Sequence, residues 1–226
     1  MALILNIETS STNCSVSLSE NGVEKDCIEL NDGYSHAENL HVFIDSLLKN
    51  NRVPPHKLNA VAISAGPGSY TGLRIGTSAA KGLCYALDVP LIALSTLELM
   101  AYAALRVYSE ADFYLPMLDA RRMEVYCALY DRHLKAVIEP RAMIIEETSV
   151  QTLKQTGRLC VFGDGMPKCR ALFESHLNCS FMENMIPSAK HMHEAAFQKF
   201  IRQDFENIAY FEPYYLKEYM FAQKQK

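Results

Sequence analysis

Two carboxylates stand out by their positions. Glu8 follows the apolar run Leu3 to Ile7, and Asp119 follows Phe113 to Leu118. Both runs read as buried strands, so each acid closes the first strand of one half of the chain. In a fold of two matching halves they face each other across a cleft, where a Mg–nucleotide enzyme places acids. Asp119 is followed by Ala120-Arg121-Arg122 and not by glycine. Those side chains crowd a phosphate loop, and a salt-bridged strand end is the plainer reading.

The turn Gly66-Pro67-Gly68-Ser69-Tyr70-Thr71-Gly72 joins a buried strand to a helix. Such a junction can cradle a phosphate on free backbone N–H groups. The spacing is not GxGxxG and no Lys-Ser/Thr pair follows, so neither a dinucleotide fingerprint nor a P-loop is present. The alternative is a tight turn whose glycines allow close packing. Ser69 is no nucleophile elbow, because Pro67 and Thr71 flank it. Cys84 lies in an apolar helix that disfavours a thiolate. His36 and His41 are five apart and point about 140° away from each other on a helix. His191 and His193 are two apart, while His56, His133 and His176 are isolated. The histidines therefore read as surface or cap residues, with no metal site. Met100, Met117 and Met123 sit singly and read as core filler.

The elements that position these residues repeat. After the first strand, Cys14, Val16 and Leu18 alternate with Ser15, Ser17 and Ser19, the period of a half-buried strand. Asn21-Gly22 is a type I′ hairpin signal, and a third strand covers Glu24 to Leu30. Ser35 with Glu38 predicts a capping box for a helix through Leu48. Leu40, Phe43, Ile44, Leu47 and Leu48 share one face of it. Ala60 to Ser64 is a strand, Thr71 to Leu87 a helix, Pro90 to Leu94 a strand and Thr96 to Val107 a helix. Within the second helix Gly72, Gly76 and Ala80 lie four apart, a groove of small side chains. Each glycine there costs about 1 kcal/mol relative to alanine, which a close backbone approach offsets, either by this chain's own sheet or by a partner helix.

Ser109 to Asp112 marks a boundary, giving lobes 1–108 and 109–226. Strands follow at Phe113 to Leu118, Glu124 to Tyr130 and Ala136 to Ile145. Then come a helix at Thr148 to Lys154, a strand at Leu159 to Phe162 and helices at Pro167 to Ser175 and Ser188 to about Gln203. The order suggests a weak duplication of a βββαβαβα unit: two related α/β lobes with a cleft between them. The tail after Phe205 packs on the second lobe or returns to the first.

Composition limits the partners. The chain has 226 residues, 49% of them hydrophobic, enough for one large domain or two small lobes. A net charge of -4 argues against a strongly basic nucleic-acid binder acting alone, but leaves nucleic acid reachable through a partner. Seven scattered cysteines with no CxxC pair fit small buried hydrophobes in a reducing cytoplasm. Met1 to Leu5 lacks a basic n-region and reads as a strand, not a signal peptide. No stretch approaches the roughly 20 apolar residues that span a bilayer.

The chain resembles the TsaB (formerly YeaZ) family of the bacterial tRNA threonylcarbamoyladenosine pathway. The residues that carry the resemblance are Ile7-Glu8-Thr9-Ser10, the block from Gly66 to Gly76 (GPGSYTGLRIG), and Leu94-Ser95-Thr96-Leu97. Asp119 to Tyr126 (DARRMEVY), Gly163-Asp164-Gly165 and Pro213-Tyr214-Tyr215-Leu216 complete the set. The resemblance implies an actin-like ATPase (ASKHA) fold with a degenerate nucleotide site. The vestigial cleft would comprise Glu8, Thr9, Ser10, Asp119, Arg121, Gly163 and Gly165. It implies a cytoplasmic, non-catalytic subunit that pairs with the catalytic paralogue TsaD and the ATPase TsaE. It also implies a homodimer when alone, tRNA engaged through the complex, no membrane, no cofactor of its own, and ATP and metal on the partner subunits. Where the catalytic paralogue carries a metal-binding HxxxH, this chain has Thr96 and Met100, which do not suit such a metal. The family's partner surface is on the first-lobe helices, here residues 35–48 and 71–87. Leu40, Phe43, Leu47, Gly72, Leu73, Gly76 and Ala80 are its candidates. The competing expectations are an active nucleotide-dependent kinase or carbamoyl transferase of the same fold and, more remotely, a glycoprotease-like peptidase.

Overall fold

A computed structural model of the chain describes residues 1–33, 35–154 and 157–217. β1 (Leu3–Glu8), β2 (Cys14–Glu20) and β3 (Val23–Leu30) form an antiparallel meander. Asn21 and Gly22 take φ of 50° and 83° at the first hairpin, the left-handed pair that a type I′ turn requires. β4 (Ala60–Ser64) and β5 (Leu91–Leu94) add in parallel, giving the order β3-β2-β1-β4-β5. The crossovers are α1 (His36–Asn50) and α2 (Tyr70–Leu87), and α3 (Thr96–Val107) follows. Ser69 and Ser95 cap α2 and α3 by accepting from Gly72 N and Glu98 N.

The second half repeats the plan. β6 (Phe113–Asp119), β7 (Glu124–Asp131) and β8 (Ala136–Ile144) form the meander. α4 (Glu147–Leu153), β9 (Leu159–Phe162), α5 (Arg170–His176), β10 (Cys179–Met182) and α6 (His193–Arg202) follow. The order β10-β9-β6-β7-β8 mirrors the first sheet. β10 escapes the sequence pattern: it has four residues, all half-buried, with no alternation. The predicted helix from Ser188 is a 3-10 turn at Ala189–His191 followed by α6.

Four apolar clusters hold the layers. Leu40, Ile44 and Leu47 of α1 and Ala80 and Cys84 of α2 pack on one face of the first sheet. Burying each large side chain contributes about 1.5–3 kcal/mol. α3 crosses over: Leu97, Met100, Ala101 and Ala104 join Tyr114, Leu118, Ala128 and Phe162 of the second sheet. α6 crosses the other way, and its Ala196 packs with Ile4, Ala62 and Ile92 of the first sheet. The chain after residue 203 also returns to the first lobe. Glu206 N donates to Leu91 O at 2.9 Å, and Tyr214 N to Ala65 O at 2.7 Å. Among the described residues no helix is long and apolar enough to cross a membrane.

Several local expectations are corrected. Ser35 makes no capping hydrogen bond. Its hydroxyl turns back to Asp32 Oδ1 at 2.8 Å. Ser15, Ser17 and Ser19 are not on a solvated face; all three are buried. The segment leading into α6 covers two of them: Ala189 N donates to Ser15 Oγ at 2.9 Å, and Ser17 Oγ donates to Ala189 O at 3.0 Å. Met100 and Met117 are core residues, but Met123 is 41% exposed.

Candidate functional site

The first-lobe carboxyl, expected to line an interlobe cleft, sits at the end of β1. Glu8 is buried, and its Oε1 accepts from Ser10 N at 2.5 Å. Burial pushes its carboxyl above the ordinary range, while Ser10 and Ser64 pull the other way. The Ser64 hydroxyl also meets Thr96 Oγ1 at 2.7 Å. Glu8, Ser64 and Thr96 thus form one sealed polar group at the foot of α3. Sequence reading missed Ser64, whose partners are distant in the chain.

The glycine turn holds the chain segment after β1. Ser69 N donates to Ser10 O at 2.6 Å, and Thr9 Oγ1 donates to Gly72 O at 2.8 Å. The Ser69 and Gly72 amides are therefore engaged within the chain. A Cβ on Gly68 would fall within 3.0 Å of Ser10 O, and one on Gly72 within 3.0 Å of Thr9 O. These glycines permit close packing of the turn on β1's continuation.

The second-lobe side is built on the end of β6. Asp119 is exposed, and Lys168 Nζ forms an ion pair with its Oδ1. The same ammonium donates to Glu124 O at 2.6 Å. Arg121 N donates to Asp119 Oδ1 at 2.9 Å, and Asp119 N donates to Asp164 Oδ1 at 2.9 Å. The strand end is salt-bridged, but by Lys168 and not by Arg121 or Arg122. Those two residues sit at φ 73° and 50°, a strained conformation costing on the order of 1–3 kcal/mol each without glycine. Gly163, at φ +103°, and Gly165 lie hard against the backbone of Met117 and Leu118.

A Mg-bound nucleotide, the ligand expected between such lobes, finds a poor fit in these residues. One carboxyl is buried in its own hydrogen bonds, and the other is held by an ammonium. The glycines of residues 163–165 are occupied by strand packing, and arginines stand at the first loop. Among the described residues no three His, Cys, Asp or Glu side chains group to hold a metal ion. Thr96 bonds Ser64, and Met100 is buried in the core around α3.

The seven interface candidates are also placed, and most do not face outward. Leu40, Leu47, Leu73 and Ala80 are each 0% exposed. Phe43 is half-buried against the same core. Gly72 and Gly76 face Thr9, and a Cβ on Gly76 would come within 3.0 Å of Thr9 Oγ1. The small-residue groove therefore serves the chain's own packing, which corrects its assignment to an opposing helix. The outward faces carry other residues, including Val42 of α1, 57% exposed, and Tyr85 of α2, 85% exposed.

Three histidines are not surface residues. His36 Nε2 lies 2.8 Å from Ser11 O, and burial lowers its pKa. His193 Nε2 lies 2.7 Å from Ser17 Oγ, with Nδ1 3.7 Å from Glu24 Oε2. Burial lowers both His191 and His193 to about 4. Ser17 is fully buried, so the Ser17–His193–Glu24 row has no face open to a substrate and fastens α6 to the first sheet. All seven cysteines are free thiols, and burial pushes Cys84 up to about 11.

Known proteins share this architecture. The family model described as "TsaD: tRNA N6-adenosine threonylcarbamoyltransferase" matches residues 33–218. The tRNA threonylcarbamoyladenosine biosynthesis protein TsaB of Escherichia coli is 32% identical over 219 residues, covering 95% of this chain and 94% of that protein. The solved structure of YeaZ from Pseudomonas aeruginosa has a TM-score of 0.77 at 23% identity, covering 96% of this chain and 100% of that one. An activator of 2-hydroxyisocaproyl-CoA dehydratase from Clostridium difficile, solved with ADPNP, has a TM-score of 0.52 at 10% identity, covering 91% and 98%. The two mixed-sheet lobes are the actin-like ATPase (ASKHA) fold.

Proposed function

The chain belongs to the TsaB (YeaZ) family of tRNA threonylcarbamoyladenosine biosynthesis, and we propose that it works there as a non-catalytic subunit. In this reading it pairs with the paralogue TsaD, and the ATPase TsaE joins the pair. ATP and metal are held by those subunits, and tRNA is engaged through the complex. The observation that carries the reading is the state of the two cleft carboxyls. Glu8 is sealed in hydrogen bonds of its own lobe, and Asp119 is paired with Lys168. Neither is arranged to hold a hydrated cation, which needs oxygen ligands free to converge on it.

The partner surface in this proposal is the outward face of α1 and α2, with Val42 and Tyr85 as its exposed apolar residues. Without the paralogue, the same face supports self-association. Calorimetry tests both parts. The isolated chain is expected to give no Mg-dependent ATP binding and to bind TsaD. V42E and Y85E are each expected to weaken that association by about tenfold, equal to about 1.4 kcal/mol, with unchanged folding. Tight Mg-dependent ATP binding by the isolated chain would favour an active enzyme of the same fold instead.

A further inference from the structure

A cavity of ≈ 500 Å³ lies between α2 and the returning segment 212–217. Its size is within the roughly 300–1,000 Å³ of small-molecule sites. α2 lines it from successive turns with Arg74, Thr77 and Lys81. Thr77 is 6% exposed, and its hydroxyl has no hydrogen-bond partner. The hydroxyl oxygen itself is closed to solvent, so Thr77 shapes the cavity wall and does not face a ligand.

The charge around that hydroxyl is positive. The Arg74 guanidinium lies 5.4 Å from the centre of the Tyr70 ring, and its Nη1 is 3.3 Å from Tyr70 Oη. Among the described residues no carboxylate pairs with it. Lys81 Nζ donates to Phe211 O at 3.1 Å and Ala209 O at 3.4 Å. Those acceptors are neutral, and among the described residues no carboxylate forms an ion pair with Lys81. Lys217 also lines the cavity but is paired with Glu124. Among the described residues Glu212 is the one acid on the wall. Tyr215, whose ring centre is 4.8 Å from that of Tyr70, adds an aromatic surface.

We propose that this cavity binds a small sugar phosphate. Arg74 and Lys81 hold the phosphate. Glu212 accepts from sugar hydroxyls, and Tyr215 backs the sugar ring. A carboxylate beside two cations is unfavourable for a bare oxyanion, but it suits a ligand with an anionic end and a hydroxyl-bearing end. All the lining residues named belong to this chain; Arg74 and Lys81 share a face of α2 with Tyr85, so the cavity adjoins the proposed partner surface and is tested in the chain alone.

Calorimetry on the full chain at low ionic strength, with ribose 5-phosphate, ribose and inorganic phosphate as probes, tests the assignment. Ribose 5-phosphate is expected to bind at about 1 mM or tighter, and at least tenfold tighter than either fragment, since each end adds a hydrogen-bonded contact. R74Q is expected to weaken it at least tenfold, and K81Q several-fold, with unchanged circular dichroism. E212Q is expected to weaken ribose 5-phosphate but not inorganic phosphate. No binding of ribose 5-phosphate, or binding indifferent to both R74Q and K81Q, would overturn the site. Inorganic phosphate binding as tightly as ribose 5-phosphate would overturn the sugar phosphate as ligand.

Discussion

Two glycines on one helix should respond oppositely to the same substitution. Gly72 and Gly82 both lie in α2. A Cβ on Gly72 would come within 3.0 Å of the Thr9 carbonyl oxygen, whereas one on Gly82 would meet nothing within 4 Å. In G72A the obstacle is backbone, which cannot swing aside as a side-chain end can, so overpacking of about 3 kcal/mol is appropriate. The displaced strand end also loosens the Thr9 Oγ1–Gly72 O bond of 2.8 Å, worth about 1 kcal/mol. Alanine returns about 1 kcal/mol of helix propensity. G72A should therefore destabilise by about 3 kcal/mol, and G82A should stabilise by up to about 1 kcal/mol. With a urea slope of about 1–3 kcal/mol/M, the two midpoints should differ by at least about 1 M. Equal midpoints would refute the assignment of the small-residue groove to internal packing.

Three further outcomes follow from the site. Burial raises the Glu8 carboxyl above its ordinary value of 4.5, so its neutral form favours the fold. That contribution is complete below about pH 4.5 and is lost as pH rises through the raised value. E8Q should then gain stability relative to the parent as pH rises above about 4.5; a pH-independent difference in midpoints would contradict this. His191 and His193 are lowered from 6.5 to about 4, so their contributions are complete above pH 6.5 and lost as pH falls toward 4. H193Q should flatten the acid-side loss by up to one proton, about 1.4 kcal/mol per pH unit, and an unchanged slope would count against it. K168Q frees Asp119 but leaves Arg121, Gly163 and Gly165 in place. It should still show no Mg-dependent ATP binding by calorimetry, and its appearance would mean that Lys168 alone closes the cleft.

Much of the fold was readable because the local signals agreed: Leu3 to Ile7 is a short apolar run and Asn21-Gly22 sets the hairpin. The caps were not: Ser35 is predicted to cap its helix and does not, while Ser69 and Ser95 do. What was misread depends on distant partners. The serines of β2 look like a wet face until residues from 187 to 193 cover them. α3 and α6 are amphipathic, but a helix pattern does not say which sheet its apolar stripe meets; each packs on the sheet of the other half. The spacing of Gly72, Gly76 and Ala80 shows that something approaches closely, and the approaching group is Thr9 of the same chain. Ser64 gave no motif because it joins Glu8 and Thr96 only in three dimensions.

Reconstituted tRNA modification tests the central claim most directly. TsaD, TsaE, tRNA, ATP and threonylcarbamoyl-AMP are mixed with and without this chain, and the modified adenosine is quantified by mass spectrometry. The account predicts modification that requires the chain, none from the chain alone, and full support from E8Q if that variant is folded. Equal modification without the chain, or modification by the chain alone, would contradict it.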